Sequence, residues 1–248
     1  MSLSVSPATA EEVLPLRSLH RQEMNCQIKL DSWLGRGWTD PYLLRRHDQV
    51  IGYGLVGGMR ADPKDTIVEY YILPNHRGAA LPLFRQLIQL SGAKLIEVQT
   101  NDRLLTLMLF DCANNIASDT ILFHDGFATH LRLPGGVFRK STAADSADLF
   151  EHKHEPVGDY VIEMEHAIVA TGGYLCHYNP PYGDIYMEVA EPFRRRGVGS
   201  YLVQELKRMC YENGKLPAAR TSINNVGSRA SMQKAGLMPC ARVLTGSL

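Results

Sequence analysis

The residues best suited to chemistry lie in one run, Arg194-Arg195-Arg196-Gly197-Val198-Gly199-Ser200. The spacing predicts a strand before it and a helix after it, whose apolar residues Leu202, Leu206, Met209 and Cys210 share one face. A helix opens with unpaired backbone N–H groups, and its dipole places about half a positive charge there. Gly197 and Gly199 remove side chains from the approach of a bulky anion. Three arginines add permanent charge and forked donors that match phosphate oxygens. The run therefore reads as a site for a di- or triphosphate-bearing ligand. No GxxxxGK[ST] sequence is present, which argues against an ATP site of that type.

The rest of the composition makes this a local device. The 248 residues carry 26 basic and 26 acidic side chains, so no polyanion-binding surface and no nucleic-acid partner is expected. No apolar run of about 18 residues exists, so no membrane span is expected. Met1 to Ala10 lacks the charged start and apolar stretch of a secretory signal, so the expected compartment is cytoplasmic. The five cysteines are scattered and read as reduced, mostly buried thiols. His152, Lys153, His154 and His166 lack supporting ligand spacing, and no metal is expected.

The elements around the site follow from periodicity. A helix is predicted over Glu11 to Met24, strands over Tyr42 to Arg45, Val50 to Val56 and Thr66 to Ile72, and a helix over Ala80 to Leu90. A strand at Lys94 to Val98, a helix at Asp102 to Cys112 and a strand at Thr120 to His124 come next. After the polar stretch Ser141 to Asp159 the order recurs. Strands are predicted at Tyr160 to Glu165, Ile168 to Tyr178 and Ile185 to Val189. A helix at Val198 to Tyr211, a strand at Ala218 to Ser222, a helix at Ser228 to Ala235 and a strand at Met238 to Leu244 complete it. One register lays Gly197 on Gly78, Gly199 on Ala80, Arg196 on Arg77 and Glu188 on Glu69, which reads as an internal duplication. The expected domains are residues 1–138 and 158–248, with a linker at 139–157.

Arg194, Gly197 and Gly199, with Val189 five residues before the arginine, resemble the phosphate-binding motif of the GNAT N-acetyltransferase superfamily. A second stretch resembles the family in the same order, Asn225-Val226-Gly227-Ser228 and then Lys234-Ala235-Gly236-Leu237. The segment Asn75-His76-Arg77-Gly78-Ala79-Ala80 keeps only part of the pattern, so the first half resembles a degenerate copy. The resemblance implies an α/β (α+β) fold of two GNAT-like domains, each a mixed, mostly antiparallel twisted sheet flanked by helices. It implies acetyl-CoA as cofactor, gripped by Arg194, Arg195, Arg196, Gly197, Val198, Gly199 and Ser200. Asn225 would bond the pantetheine arm or its own backbone; Ser228 would assist or cap the following helix.

The implied reaction is attack of an amine, on a small molecule or a peptide, on the thioester. The ammonium must first lose a proton. Glu188 is the expected base, with His177 the runner-up, and the Val189 N–H is the expected donor to the acetyl carbonyl. Where many relatives carry a tyrosine acid, this sequence has Met232. That departure keeps open a non-catalytic CoA or acyl-CoA sensor as the alternative. The second half lacks the initial helices that wall the acceptor site in the family. Completion of that pocket by the N-terminal domain, or by another subunit of a homodimer, is therefore expected.

Overall fold

The computed structural model describes residues 2–25, 31–58, 63–176 and 180–248. They form two compact units, Met1–Asp119 with Ala241–Leu248, and Thr120–Cys240.

The first unit begins with strand β1 (Leu3–Pro7) and helix α1 (Ala10–Glu23). The Thr9 hydroxyl accepts the Glu12 N–H and the Glu12 carboxylate accepts the Thr9 N–H, so two of the orphan donors at the start of α1 are satisfied. There follow α2 (Asp31–Gly35), β2 (Thr39–Arg46), β3 (Gln49–Gly57), β4 (Thr66–Ile72), α3 (Ala80–Ser91), β5 (Leu95–Gln99) and α4 (Arg103–Cys112). Gly92, at φ 68°, ends α3. The strands lie in the order β1-β2-β3-β4-β5, antiparallel except for β4 and β5. Leu83, Phe84 and Leu87 of α3 pack with Leu105, Met108 and Leu109 of α4 on Ile67, Tyr70 and Ile96.

The second unit holds the end of β6 (Asn114–Asp125), then β7 (Gly136–Lys140), β8 (Tyr160–Met164), β9 (Ala167–Leu175), β10 (Tyr182–Val189), α5 (Val198–Glu212), β11 (Leu216–Ser222) and α6 (Val226–Lys234). Its sheet runs β6-β11-β10-β9-β8-β7, with only β10 and β11 parallel. Leu202, Val203 and Leu206 of α5 pack on Val169, Ile185 and Val189. No helix among the described residues is long and apolar enough to cross a membrane.

The last strand, β12 (Leu237–Ser247), changes the expected boundaries. Its residues Val243–Ser247 pair antiparallel with Gln99–Leu95, inside the first unit. In the corresponding place of the second unit, β11 pairs with Thr120–His124 of β6. Each half thus gives its last strand to the other half's sheet, which a linear reading of composition cannot show. The stretch 139–157, expected as a linker, lies within the second unit. It is polar because its charges are paired: Arg139 binds Asp145 at 2.7 Å and Glu163 at 3.0 Å, and Asp145 Oδ2 accepts the Thr142 N–H at 2.6 Å.

Hydrogen bonds at the strand ends align the two halves in a register that differs from the glycine match. The Leu73 N–H donates to Ile51 O as the Ala190 N–H does to Val169 O. Arg77 Nε donates to Ile72 O as Arg194 Nε does to Val189 O. Ile72 therefore corresponds to Val189 and Arg77 to Arg194. Tyr71 then takes the place of Glu188, and Glu69 that of Tyr186.

Candidate active site

The Arg194–Ser200 turn has the geometry of an anion site. Arg195 has φ 63° and Gly197 φ 86°, and a Cβ on Gly197 would meet nothing within 4 Å. Gly197 caps α5 without a side-chain acceptor, so the first-turn amides of α5, at Val198, Gly199 and Ser200, have no partner in the cap. Arg194, Arg195 and Arg196 are exposed beside them, with Arg196 5.4 Å over the Phe193 ring. Gly199 serves a different purpose from the one its sequence suggests. A Cβ there would crowd Met187 Cε at 3.2 Å, Ser231 Oγ at 3.3 Å and Val189 Cγ2 at 3.4 Å. Its missing side chain lets α5 close on β10, whereas a Cβ on Gly197 would stand in open space.

Beyond the turn, the two parallel strands part. β10 and β11 are in register from Tyr182↔Leu216 to Ile185↔Ala219 and no further, although both continue. The Ala190 N–H is directed at β9, so strand alternation turns the N–H groups of Met187 and Val189 toward the parted side. An extended chain carrying amides could bond there as an added strand would. The Val189 carbonyl on that side is held by Arg194 Nε at 3.0 Å.

Alternation also sorts the side chains of β10. Ile185 and Val189 are buried under α5. Asp184, Tyr186 and Glu188 face the other way. That second face is crossed by residues 150–158, a strap held by two buried anchors. Glu188, 5% exposed, accepts the N–H groups of Lys153 (3.1 Å), His154 (3.1 Å) and Glu155 (3.0 Å). Thr171 accepts the Gly158 N–H at 3.3 Å and pairs with His152 Nε2 at 2.6 Å.

These contacts give Glu188 an anchoring role beside the one expected of it. Burial pushes its pKa up, but the three amide bonds and neighbouring His152 outweigh that and hold it below the ordinary value. A carboxylate so held is a weak proton acceptor and a strong anchor. Glu188→Gln places an NH2 against amide donors, so we expect a loss of about 1–3 kcal/mol. Trypsin should then cut faster at Lys153; an unchanged cleavage rate would remove the anchoring role.

Two groups on the same face were not singled out from the sequence. Asp184, which the predicted strand left just outside, lies 3.2 Å from Arg220 Nε. Its pKa is raised to about 6, chiefly by burial, with Arg220 pulling down and Glu155 pushing up. Glu155 is raised as well, first by desolvation, then by Glu188 against Arg220. Asn225 caps α6, its Oδ1 accepting the Ser228 N–H at 3.0 Å, so Ser228 sits in the first turn and is not the cap. Met232 is in the core, 4% exposed. His177 lies outside the described residues.

A sequence comparison points the same way as this geometry. The model of the "Acetyltransferase (GNAT) family" matches residues 127–237. Those residues are similar to the acetyltransferase domain of that family. Solved structures share the architecture along the whole chain. A GNAT-family acetyltransferase from Colwellia psychrerythraea has TM-score 0.75 and 12% identity, covering 100% of each chain. A GCN5-related N-acetyltransferase from Sphaerobacter thermophilus has TM-score 0.63 and 13% identity over 99% of this chain and 95% of its own. A tandem GNAT protein from the clavulanic acid biosynthesis pathway has TM-score 0.59 and 12% identity over 99% and 98%. No curated protein matches significantly. At these identities the structural likeness shows the fold alone, along the whole chain.

The first unit lacks these features of the second. Its turn is a 3-10 helix, Pro74–Ala79, with no left-handed residue. By the hydrogen-bond register Ala80 stands where Gly197 does and Pro82 where Gly199 does. Its Arg77 is bound to Glu23, and its Glu69 is covered by α1, where Arg17 Nη2 reaches Oε1 at 2.7 Å and Arg17 Nε reaches Oε2 at 2.9 Å.

Proposed function

We propose that the second unit transfers an acetyl group from acetyl-CoA to a primary amine of a small molecule or peptide, and that the first copy binds the cofactor weakly or not at all. The observation that carries this reading is the parting of β10 from β11 directly before a glycine turn with free amides. The Gly197 turn suits a diphosphate, and the Met187 and Val189 N–H groups suit the amides of an extended arm. The residues present fit coenzyme A. Bound acetyl-CoA would supply an activated thioester. The chain's part is to hold the diphosphate at Val198–Ser200, to orient the acyl carbonyl with a β10 N–H, and to take a proton from the amine. The Asn225 side-chain nitrogen remains available to the ligand, since only its oxygen is used in the cap.

The test is release of free thiol from acetyl-CoA against a panel of amines, with thermal shift by acetyl-CoA, CoA and ATP. Stabilisation by ATP and not by CoA would end this reading. Gly197→Val adds a Cβ at a left-handed position, costing about 1–2 kcal/mol, and places it in the anion's path. We expect the Kd for acetyl-CoA to rise at least about tenfold. Arg194→Ala should raise it too, by freeing the Val189 carbonyl and the turn. An unchanged Kd in both variants counts against the site. Met232 favours a second reading, a CoA or acyl-CoA sensor; tight CoA binding with silence across the amine panel would select it.

A further inference from the structure

If Glu188 is an anchor, the amine's proton must go elsewhere, and the face opposite α5 offers a group for it. We propose that the Asp184 carboxylate, seated between Arg220 and Glu155, is the proton acceptor of the second unit. This rests on the acetyl-transfer reading and assigns a step within it.

The geometry carries the assignment. Asp184, Tyr186 and Glu188 are successive side chains on one face of β10, about 7 Å apart. Tyr186 and Glu188 flank Met187, whose N–H faces the parted strands. Asp184 is one step further along, on the side away from the phosphate turn. Its side chain is 13% exposed, which leaves it reachable through water. The charged and titratable groups around it are Arg220 on β11, Glu155 on the strap, and Tyr186 and Glu188 on β10; across on β9 it is opposite Leu175. Arg220 fixes the carboxylate in place and keeps its anion accessible near neutral pH. The Tyr186 ring lies over Gly173, where a Cβ would meet its hydroxyl at 2.8 Å.

The balance is simple. The ammonium's N–H bond breaks and its proton passes to Asp184 Oδ, directly or through one water. The freed nitrogen pair forms the new C–N bond as the C–S bond breaks. Of the two protons the ammonium loses, one ends on the CoA thiol and the other returns from Asp184 to solvent.

The test compares Asp184→Asn, Glu188→Gln and wild type. Asp184→Asn is expected to lower kcat about 100-fold and to abolish an ascending limb near pH 6 in the pH profile of kcat/KM. Its Kd for acetyl-CoA by calorimetry should be unchanged. In the free protein, carbon NMR of the aspartate carboxyls should show one group titrating near pH 6 that is missing in Asp184→Asn. Glu188→Gln should keep the limb. A wild type that turns over, with Asp184→Asn equal to it in rate and pH profile, overturns the assignment. So does an Asp184 that titrates as an ordinary carboxylate. A wild type that binds acetyl-CoA yet releases no thiol with any amine overturns the acetyl-transfer reading instead.

Discussion

Removing Ala241–Leu248 is expected to unfold the N-terminal unit and to spare the C-terminal one. Those residues close the first sheet against β5. They also pack it: Leu244 and Leu248 lie on its core, and Gly246 sits so close to Ala113 and Leu109 that a Cβ would come within 2.8 and 2.9 Å of them. The Leu248 N–H bonds Lys94 O at 2.8 Å, and Arg242 and Thr100 exchange two more bonds. Losing this strand bares buried Ile96 and Val98 and a row of unpaired amides. A loss of that size rivals a domain's whole stability of about 5–15 kcal/mol. Hydrogen exchange read by peptide will decide it. The truncated protein should exchange rapidly over residues 1–119 and keep protection over 160–222. Equal protection in both proteins over 1–119 would refute the strand exchange.

The second large effect concerns Arg17→Met. Arg17 and Glu69 are each 2% exposed, and Glu69 also accepts the Tyr53 hydroxyl at 2.6 Å. His20 extends the network, with Tyr53 at 2.8 Å and Asp102 at 3.0 Å. Taking away the guanidinium removes the cation that grips both oxygens of a buried carboxylate and leaves Arg21 as a positive charge nearby, a change that typically costs about 3–5 kcal/mol. Adding Glu69→Gln should restore most of it, since the pair then carries no charge. The sign of the pH effect follows. In Arg17→Met the folded Glu69 pKa rises above its unfolded value. The variant's deficit should therefore shrink as pH falls and reach its full size above the raised pKa. Urea midpoints from pH 4 to pH 8 measure it. A single variant as stable as wild type at pH 8 would show the network to be dispensable.

Much of the fold was legible because its signals are local. Apolar spacing located α1, α3, α4 and α5 and most strands to within a few residues, since each buries one stripe or one face. β1 and β7 escaped notice, being short strands of mixed burial. The strand exchange was illegible for another reason. Pairing of Val243 with Gln99 is a long-range choice that no window of sequence contains. Glycine identity aligned the two halves two residues away from the register that the strand-end hydrogen bonds give. Those bonds follow geometry and not residue type.

The site divides along the same line. The Gly197 turn was readable, since a left-handed glycine before an amphipathic helix is a local signal. Glu188 was readable as a buried strand carboxylate, but its partners are amides more than 30 positions earlier, which no local window contains. Asp184 had a signal available. It lies two and four residues before Tyr186 and Glu188, and extending the strand to Tyr182 would have put all three on one face.

The exchanged strands also bear on how the protein is made. Synthesis proceeds from residue 1, so β5 leaves the ribosome well over a hundred residues before its cover at Val243–Ser247 exists. The half translated first is thus the half finished last. In the interval its sheet presents a bare, apolar edge of the kind that recruits stray strands. Chaperone dependence during translation, and sensitivity to fusions placed directly after Leu248, should therefore fall on the N-terminal half, although the disturbance is introduced at the other end of the sequence.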